Sequence, residues 1–175
     1  MNQSTKYKLS GAKKIAIIVA ALLAFVSCFD KEKYDYIPKD QKPNLQNGDT
    51  VYFVNHQDKS LVDTFVVQIS TDYEVFDKTH YWETLSLSYE NDNKAFSVDY
   101  GSRYGLMILA GASDWTSYKG NELTDISISG VKYQAIIFNK RYPTSELLPD
   151  TLYYSYKKGI IRYDYSDTNY YEIKK

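Results

Sequence analysis

From Gly48 onward, apolar and polar residues alternate in short runs separated by turn residues, the period-two signature of antiparallel strands. The alternation predicts strands near 50–55, 61–70, 81–90, 95–100, 103–110, 123–129, 131–139, 151–157, 159–165 and 169–174. Asn91-Asp92-Asn93, Gly101-Ser102, Gly111–Ser113 and Asp167–Asn169 supply the turns. No window beyond the first 27 residues sustains a 3.6-residue period, and "STDYEVFDKTH" (Ser70 to His80) has room for one short helix at most. The pattern predicts an all-β fold: one antiparallel, meander-rich domain over 48–175, built as a half-barrel or a sandwich.

The last 25 residues are the most regular. Leu152, Tyr154 and Tyr156 fall on one face of their strand, Ile161, Tyr163 and Tyr165 on one face of the next, and Tyr171 and Ile173 on the last. Thr151, Ser155, Arg162, Asp164, Glu172 and Lys174 take the opposite faces. That is a three-stranded meander with one apolar-aromatic side and one wet side. Just before it, "ISISGVKYQAIIFN" (Ile126 to Asn139) reads as a long strand interrupted at Gly130, where a bulge or a tight hairpin fits. Gly130, Tyr133 and Phe138, followed by Tyr153-Tyr154-Ser155 and Gly159-Ile160-Ile161 with Tyr163, resemble a hairpin set of small cell-envelope lipoproteins. The resemblance implies a fold and a compartment, and some related sheets form half-barrels around an apolar groove.

The N-terminal pattern differs. Lys6, Lys8, Lys13 and Lys14 precede an unbroken apolar run, "IAIIVAALLAFV" (Ile15 to Val26), and no acid occurs before Asp30. The run is short of the ~20 residues a membrane-spanning helix needs. It has the length of a secretory signal core behind a basic start. Ser27 then puts a small residue before Cys28, the chain's single cysteine. This resembles a bacterial lipoprotein signal, although Phe25 stands where Leu or Val is usual. The resemblance implies cleavage after residue 27 and a diacylglycerol on the Cys28 thiol. An ordinary buried thiol, a soluble-secretion signal ending at Ser27 and an uncleaved anchor are the competing readings. Phe29 stands where the usual inner-membrane retention signal has Asp, and the acidic Asp30 and Glu32 close behind the cysteine resemble the surface-export signal of Bacteroidota lipoproteins. It implies an outer-membrane location, lipid-anchored and facing the cell surface. Residues 28–47, rich in Lys, Asp, Gln, Asn and Pro, read as a solvated tether, with an edge strand near Tyr34–Ile37 as the alternative.

Charge and cysteine count narrow the functions. Without residues 1–27 the chain loses four lysines and no acid, leaving 17 basic against 22 acidic side chains. No basic patch stands out in the sequence, which argues against nucleic acid and against anionic lipid headgroups as partners. A lipidated Cys28 leaves no thiol for a disulfide, a zinc-thiolate site or a cysteine nucleophile.

Tyrosine is the abundant aromatic, 19 of 175 residues against 7 Phe and 2 Trp. Strand propensity and cover for a thin sheet explain this. A groove whose rings stack on sugars or acyl chains explains it equally, with Tyr154, Tyr156, Tyr163 and Tyr165 as its floor. Trp115 and Tyr118 lie in "GASDWTSYKGN" (Gly111 to Asn121), which reads as a polar loop with exposed contact residues, or as a plug for the sheet end. His80 with Glu83, and His56 with Asp58, lack the converging ligands of a metal site, and no G-x-S-x-G elbow or glycine-rich phosphate loop is present. No cofactor and no catalytic residue is expected. The sequence therefore predicts a non-enzymatic envelope lipoprotein, held to the membrane by its lipid anchor, that binds a glycan or a lipid through an aromatic sheet face. The alternative is a structural lipoprotein docking on another envelope protein.

Overall fold

The computed structural model describes residues 31–103, 105–111, 116–141 and 148–174. Cys28 and Trp115 lie outside the described residues. Among the described residues there are eleven strands: β1 (Lys33–Asp35), β2 (Thr50–Asn55), β3 (Val62–Val75), β4 (His80–Glu90), β5 (Ala95–Gly101), β6 (Gly105–Ala110), β7 (Thr116–Ile128), β8 (Val131–Lys140), β9 (Thr151–Ser155), β10 (Gly159–Asp164) and β11 (Tyr170–Ile173). A single 3-10 turn, Lys39–Gln41, is the only helical element among them.

Each strand from β2 to β11 pairs antiparallel with its sequence neighbour, and β11 returns to pair with β2 through Tyr171↔Asn55 and Ile173↔Phe53. The result is an up-and-down barrel of ten strands. The fold is the expected all-β antiparallel meander, and its sheet closes completely where a half-barrel or sandwich was expected. A meander this long, with right-handed twist at every pairing, brings its first and last strands together and removes both free edges. All ten strands expected from the alternation occur, and β1 overlaps the edge strand offered as the alternative near Tyr34–Ile37. Ser70 to Val75 continue β3 instead of forming a helix, because their partners in β4 run on to Val75↔Tyr81.

The main apolar cluster lies inside the barrel. Phe53, Phe65, Val67, Leu87, Tyr89, Phe96, Val98, Ile108, Phe138, Leu152, Tyr154 and Tyr163 are all sealed and form one cluster. The outer face carries Gln68, Ser86, Ser88, Ser97 and Asp99 instead. A membrane-spanning barrel has the reverse arrangement, apolar outside and polar within. No helix among the described residues is long and apolar enough to cross a membrane.

The β7–β8 hairpin is longer than its neighbours and has a bulge between Gly120 and Leu123. It turns through Ser129 (φ 48°) and Gly130 (φ 76°), a two-residue turn with both centres left-handed. Its tip lies over the outside of the barrel, where the Ser129 hydroxyl donates to Glu172 at 2.6 Å. Beneath it, Ile128, Ala135 and Ile161 form a second small core. Ile161 was expected on the Tyr163 face. A register shift between Ile160 and Arg162 gives Ile160 to the barrel interior and turns Ile161 outward. The expected wet side is partly covered for the same reason. Arg162 donates to both Asp164 oxygens (2.6 and 2.9 Å) and lies 3.7 Å over the Tyr170 ring.

Residues 31–49 do not hang free. Only β1 and the 3-10 turn are regular, as the prolines suggest, yet the segment runs across one end of the barrel as a strap. Ile37 is 2% exposed and belongs to the main core. Its N–H donates to Glu83 at 2.8 Å, and Lys42 pairs with the same buried carboxylate.

Candidate functional site

The strapped end holds the described surface best suited to a ligand. There β3 and β4 project past the barrel. Strand β2 pairs β3 only through Val66, and β5 pairs β4 only from Thr84 onward. Strand β1 occupies the freed β4 edge in parallel register, Lys33↔His80 to Asp35↔Trp82. The result is a three-stranded flap with aromatics on both faces. On one face Tyr34 stacks on Tyr81 (4.9 Å between centroids) and meets Tyr73 edge-on at 5.5 Å. On the other, Phe76 stacks on Trp82 at 4.7 Å.

Arg103, from the β5–β6 turn, lays its guanidinium over both rings, 4.2 Å from the Trp82 centroid and 4.9 Å from Phe76. His80 Nε2 lies 3.0 Å from Asp35 Oδ2 in the same row. With Tyr36, Gln41, Tyr100 and Ser102 these residues line an open cleft of about 750 Å³. A second cleft of about 520 Å³ lies on the other side of the 3-10 turn. It is lined by Asp40, Tyr133, Gln134 and Tyr156 and by three lysines, Lys132, Lys157 and Lys158. Gln41 belongs to both clefts, and Tyr100, which hydrogen-bonds Gln41, lies 5.9 Å from Tyr156 across the boundary.

The cleft sets flat apolar rings beside fixed cations, amides and hydroxyls. No cluster of three or more metal-ligating side chains occurs among the described residues. Glu83 is occupied by Lys42 and the Ile37 N–H. His56 stacks on Tyr170 at 4.3 Å, and Asp58 accepts from the Ser60 N–H and hydroxyl, which hold its carboxyl below the usual range.

The sequence-predicted site residues are dispersed. Tyr154 and Tyr163 are sealed inside the barrel, so the expected aromatic groove is a core. Burial raises both phenols well above their usual range, and the Asp63 carboxylate that Tyr163 hydrogen-bonds adds to the rise there. Tyr118 also corrects its expectation. It is not an exposed loop residue but part of β7, 2% exposed, donating to the Pro149 carbonyl at 2.6 Å. The strand begins seven residues earlier than its alternation showed, because Gly120 and the bulge interrupt the pattern.

Tyr165 is half-buried at the far end, where Lys94 is bound to Asp63 and sits 5.0–5.4 Å over the Tyr163, Tyr165 and Tyr171 rings. Burial there opposes the Lys94 charge, but the Asp63 bond and the Tyr165 oxygen outweigh it and hold the ammonium above its usual range. Only Tyr156, of the described predicted residues, lines a cleft.

Sequence reasoning missed Phe76, Trp82 and Arg103. The one available signal was "HYWET", a tryptophan in a strand where the period-two pattern puts it on the polar face. No family model, curated protein or solved structure matches the chain.

Proposed function

We propose that this protein is a non-catalytic binding module of the cell envelope, lipid-anchored through Cys28 at the outer membrane, that takes a glycan or lipid headgroup at the strapped end. The observation that carries the reading is the Phe76–Trp82 stack under Arg103 in an open cleft. Stacked rings offer a flat face to a sugar or an acyl stem, and the cation and polar rim select a polar or anionic partner. The aromatic sheet face named from the sequence supports the fold, and the cleft beside the strap takes over the binding role.

Trp82 reports on this directly. In a Trp115→Phe background its fluorescence is followed while a soluble acidic oligogalacturonate, or monomeric short-chain phosphatidylglycerol, is added. Saturable quenching by at least one probe, lost in Arg103→Ala, is expected. No response to either probe contradicts the reading. The anchor is tested separately: metabolic fatty-acid label should mark the wild type and be absent from Cys28→Ala, and label on that variant would refute lipidation.

A second reading, docking on another envelope protein, has one specific support. Beyond Ile69 the outer edge of β3 has no strand partner among the described residues, and Tyr73 and Val75 on it are exposed.

A further inference from the structure

The strap sets which way the barrel faces. Cys28 is five residues before Lys33, the first residue of β1, and five residues span roughly 17 Å at full extension. A tether to about residue 47 would let the domain stand far off the bilayer. A strap docked from Lys33 onward does not, since β1 is already part of the flap. Any anchor at residue 28 therefore holds the strapped end, and no other, beside the membrane.

That end has the composition of an interfacial surface. Tyr36, Val75 and Phe76 are exposed at 61%, 67% and 52% around the flap. Tyrosine and tryptophan favour the headgroup layer, where the ring is apolar and the polar atom stays wet. The two clefts hold four cations (Arg103, Lys132, Lys157 and Lys158) against two carboxylates (Asp35 and Asp40), and Asp35 already faces His80. Asp77 sits at the β3–β4 tip, where it accepts from the Thr79 N–H at 2.9 Å. The clefts are thus net positive in a net acidic chain, while the flap beside them carries Glu32, Asp72, Glu74 and Asp77.

We infer that the strapped end rests on the bilayer that holds the anchor, with anionic lipid headgroups seated in the two clefts on either side of Gln41. The inference rests on the proposed anchoring at residue 28 and deepens the binding reading by naming the ligand as a component of that membrane. The flap rings lie at headgroup depth, Arg103 and the three lysines meet phosphate or carboxylate groups, and the far end, with its Lys94–Asp63 pair, points away from the membrane.

The full chain, purified from membranes in detergent and reconstituted into vesicles, tests this. In the Trp115→Phe background, lipid carrying a headgroup nitroxide should quench Trp82 at least about twofold more in anionic than in zwitterionic vesicles, and added salt should weaken the effect. Lys157→Glu with Lys158→Glu should remove the anionic preference. A second measurement needs no substitution at a tryptophan: in wild-type protein, Lys157 and Lys158 should be protected from an aqueous amine-acylating reagent in anionic vesicles and modified in detergent.

Trp82 quenched by aqueous iodide as freely on vesicles as in detergent, or lysines modified equally in both, overturns the inference. Intact mass of the same sample reports the lipid on Cys28. A missing lipid therefore fails the lipidation reading alone, while free Trp82 on a lipidated chain fails the orientation alone. Quenching of Trp82 by oligogalacturonate with no headgroup contact would retain the binding module and reject the membrane as its ligand.

Discussion

Gly159 sits at φ +74°, and a β-carbon there would lie 1.8 Å from the Tyr89 hydroxyl oxygen. That hydroxyl crosses the interior to accept the Ile160 N–H at 3.2 Å, so it cannot retreat without leaving a buried donor unpaired. Gly159→Ala should therefore cost more than left-handed strain alone, about 2–4 kcal/mol in urea unfolding. Gly130→Ala, at φ +76° with open space around it, should cost only ~1 kcal/mol. Equal losses would show that Tyr89 does not reach the turn. The tyrosine hydroxyls sort the same way. Tyr118→Phe leaves the Pro149 carbonyl without its donor and should destabilise by about 1–2 kcal/mol. The Tyr154 hydroxyl has no partner among the described residues, so Tyr154→Phe should be neutral or slightly stabilising. Alternation showed that Tyr154 and Tyr163 share a face with Leu152. It could not show that this face is enclosed, because a groove and a core demand the same period.

Among the elements, the strap is the one whose behaviour composition misjudged. Lysines, prolines and amides describe a segment that forms little regular structure, and it forms little. What holds it is long-range: Ile37 in the core, and Glu83 receiving both the Ile37 N–H and Lys42. Those contacts join residues 41 and 46 positions apart, which no local pattern records. Glu83→Ala should leave the barrel folded while the strap opens, and the Ile37 amide should exchange roughly tenfold to a hundredfold faster. Unchanged exchange would mean the strap is held without Glu83. The flap was only partly legible: the strand over 81–90 and an edge strand near Tyr34–Ile37 were readable, but the run of β3 past Ser70 was not. Both of its faces carry aromatics, Tyr34, Tyr73 and Tyr81 on one and Phe76 and Trp82 on the other. The period-two contrast that marks a strand therefore fades in β3 beyond Ser70. Strand β7 was legible from Leu123 and hidden before it, since one extra residue at the bulge inverts the faces.

At the scale of the whole molecule, closure is what separates a store of sealed phenols from a rim of accessible ones. The β11–β2 pairing encloses Tyr89, Tyr154 and Tyr163, and β7 adds Tyr118, while the strapped end keeps Tyr34, Tyr36 and Tyr73 in solvent. Burial raises the sealed phenols, Tyr89 and Tyr118 among them, well above the range of an exposed tyrosine. Beneath the hairpin tip, burial first and the Asp164 carboxylate second push Tyr153 up to about 12.

The sign of the pH dependence follows. A phenol whose folded pKa exceeds its unfolded value contributes stability that is complete below pH ~10 and is lost as pH rises toward the folded value. Each sealed tyrosine should remove ~1.4 kcal/mol of stability per pH unit above that point, so four together make alkaline unfolding steep. Phenolate absorbance at 295 nm, followed from pH 8 to 13 beside far-ultraviolet circular dichroism, reads this directly. The closed barrel is expected to release the sealed set in one cooperative step that coincides with loss of the sheet. A single reversible titration of all the tyrosines near pH 10, with the sheet unchanged, would contradict the closed barrel and restore an open aromatic groove.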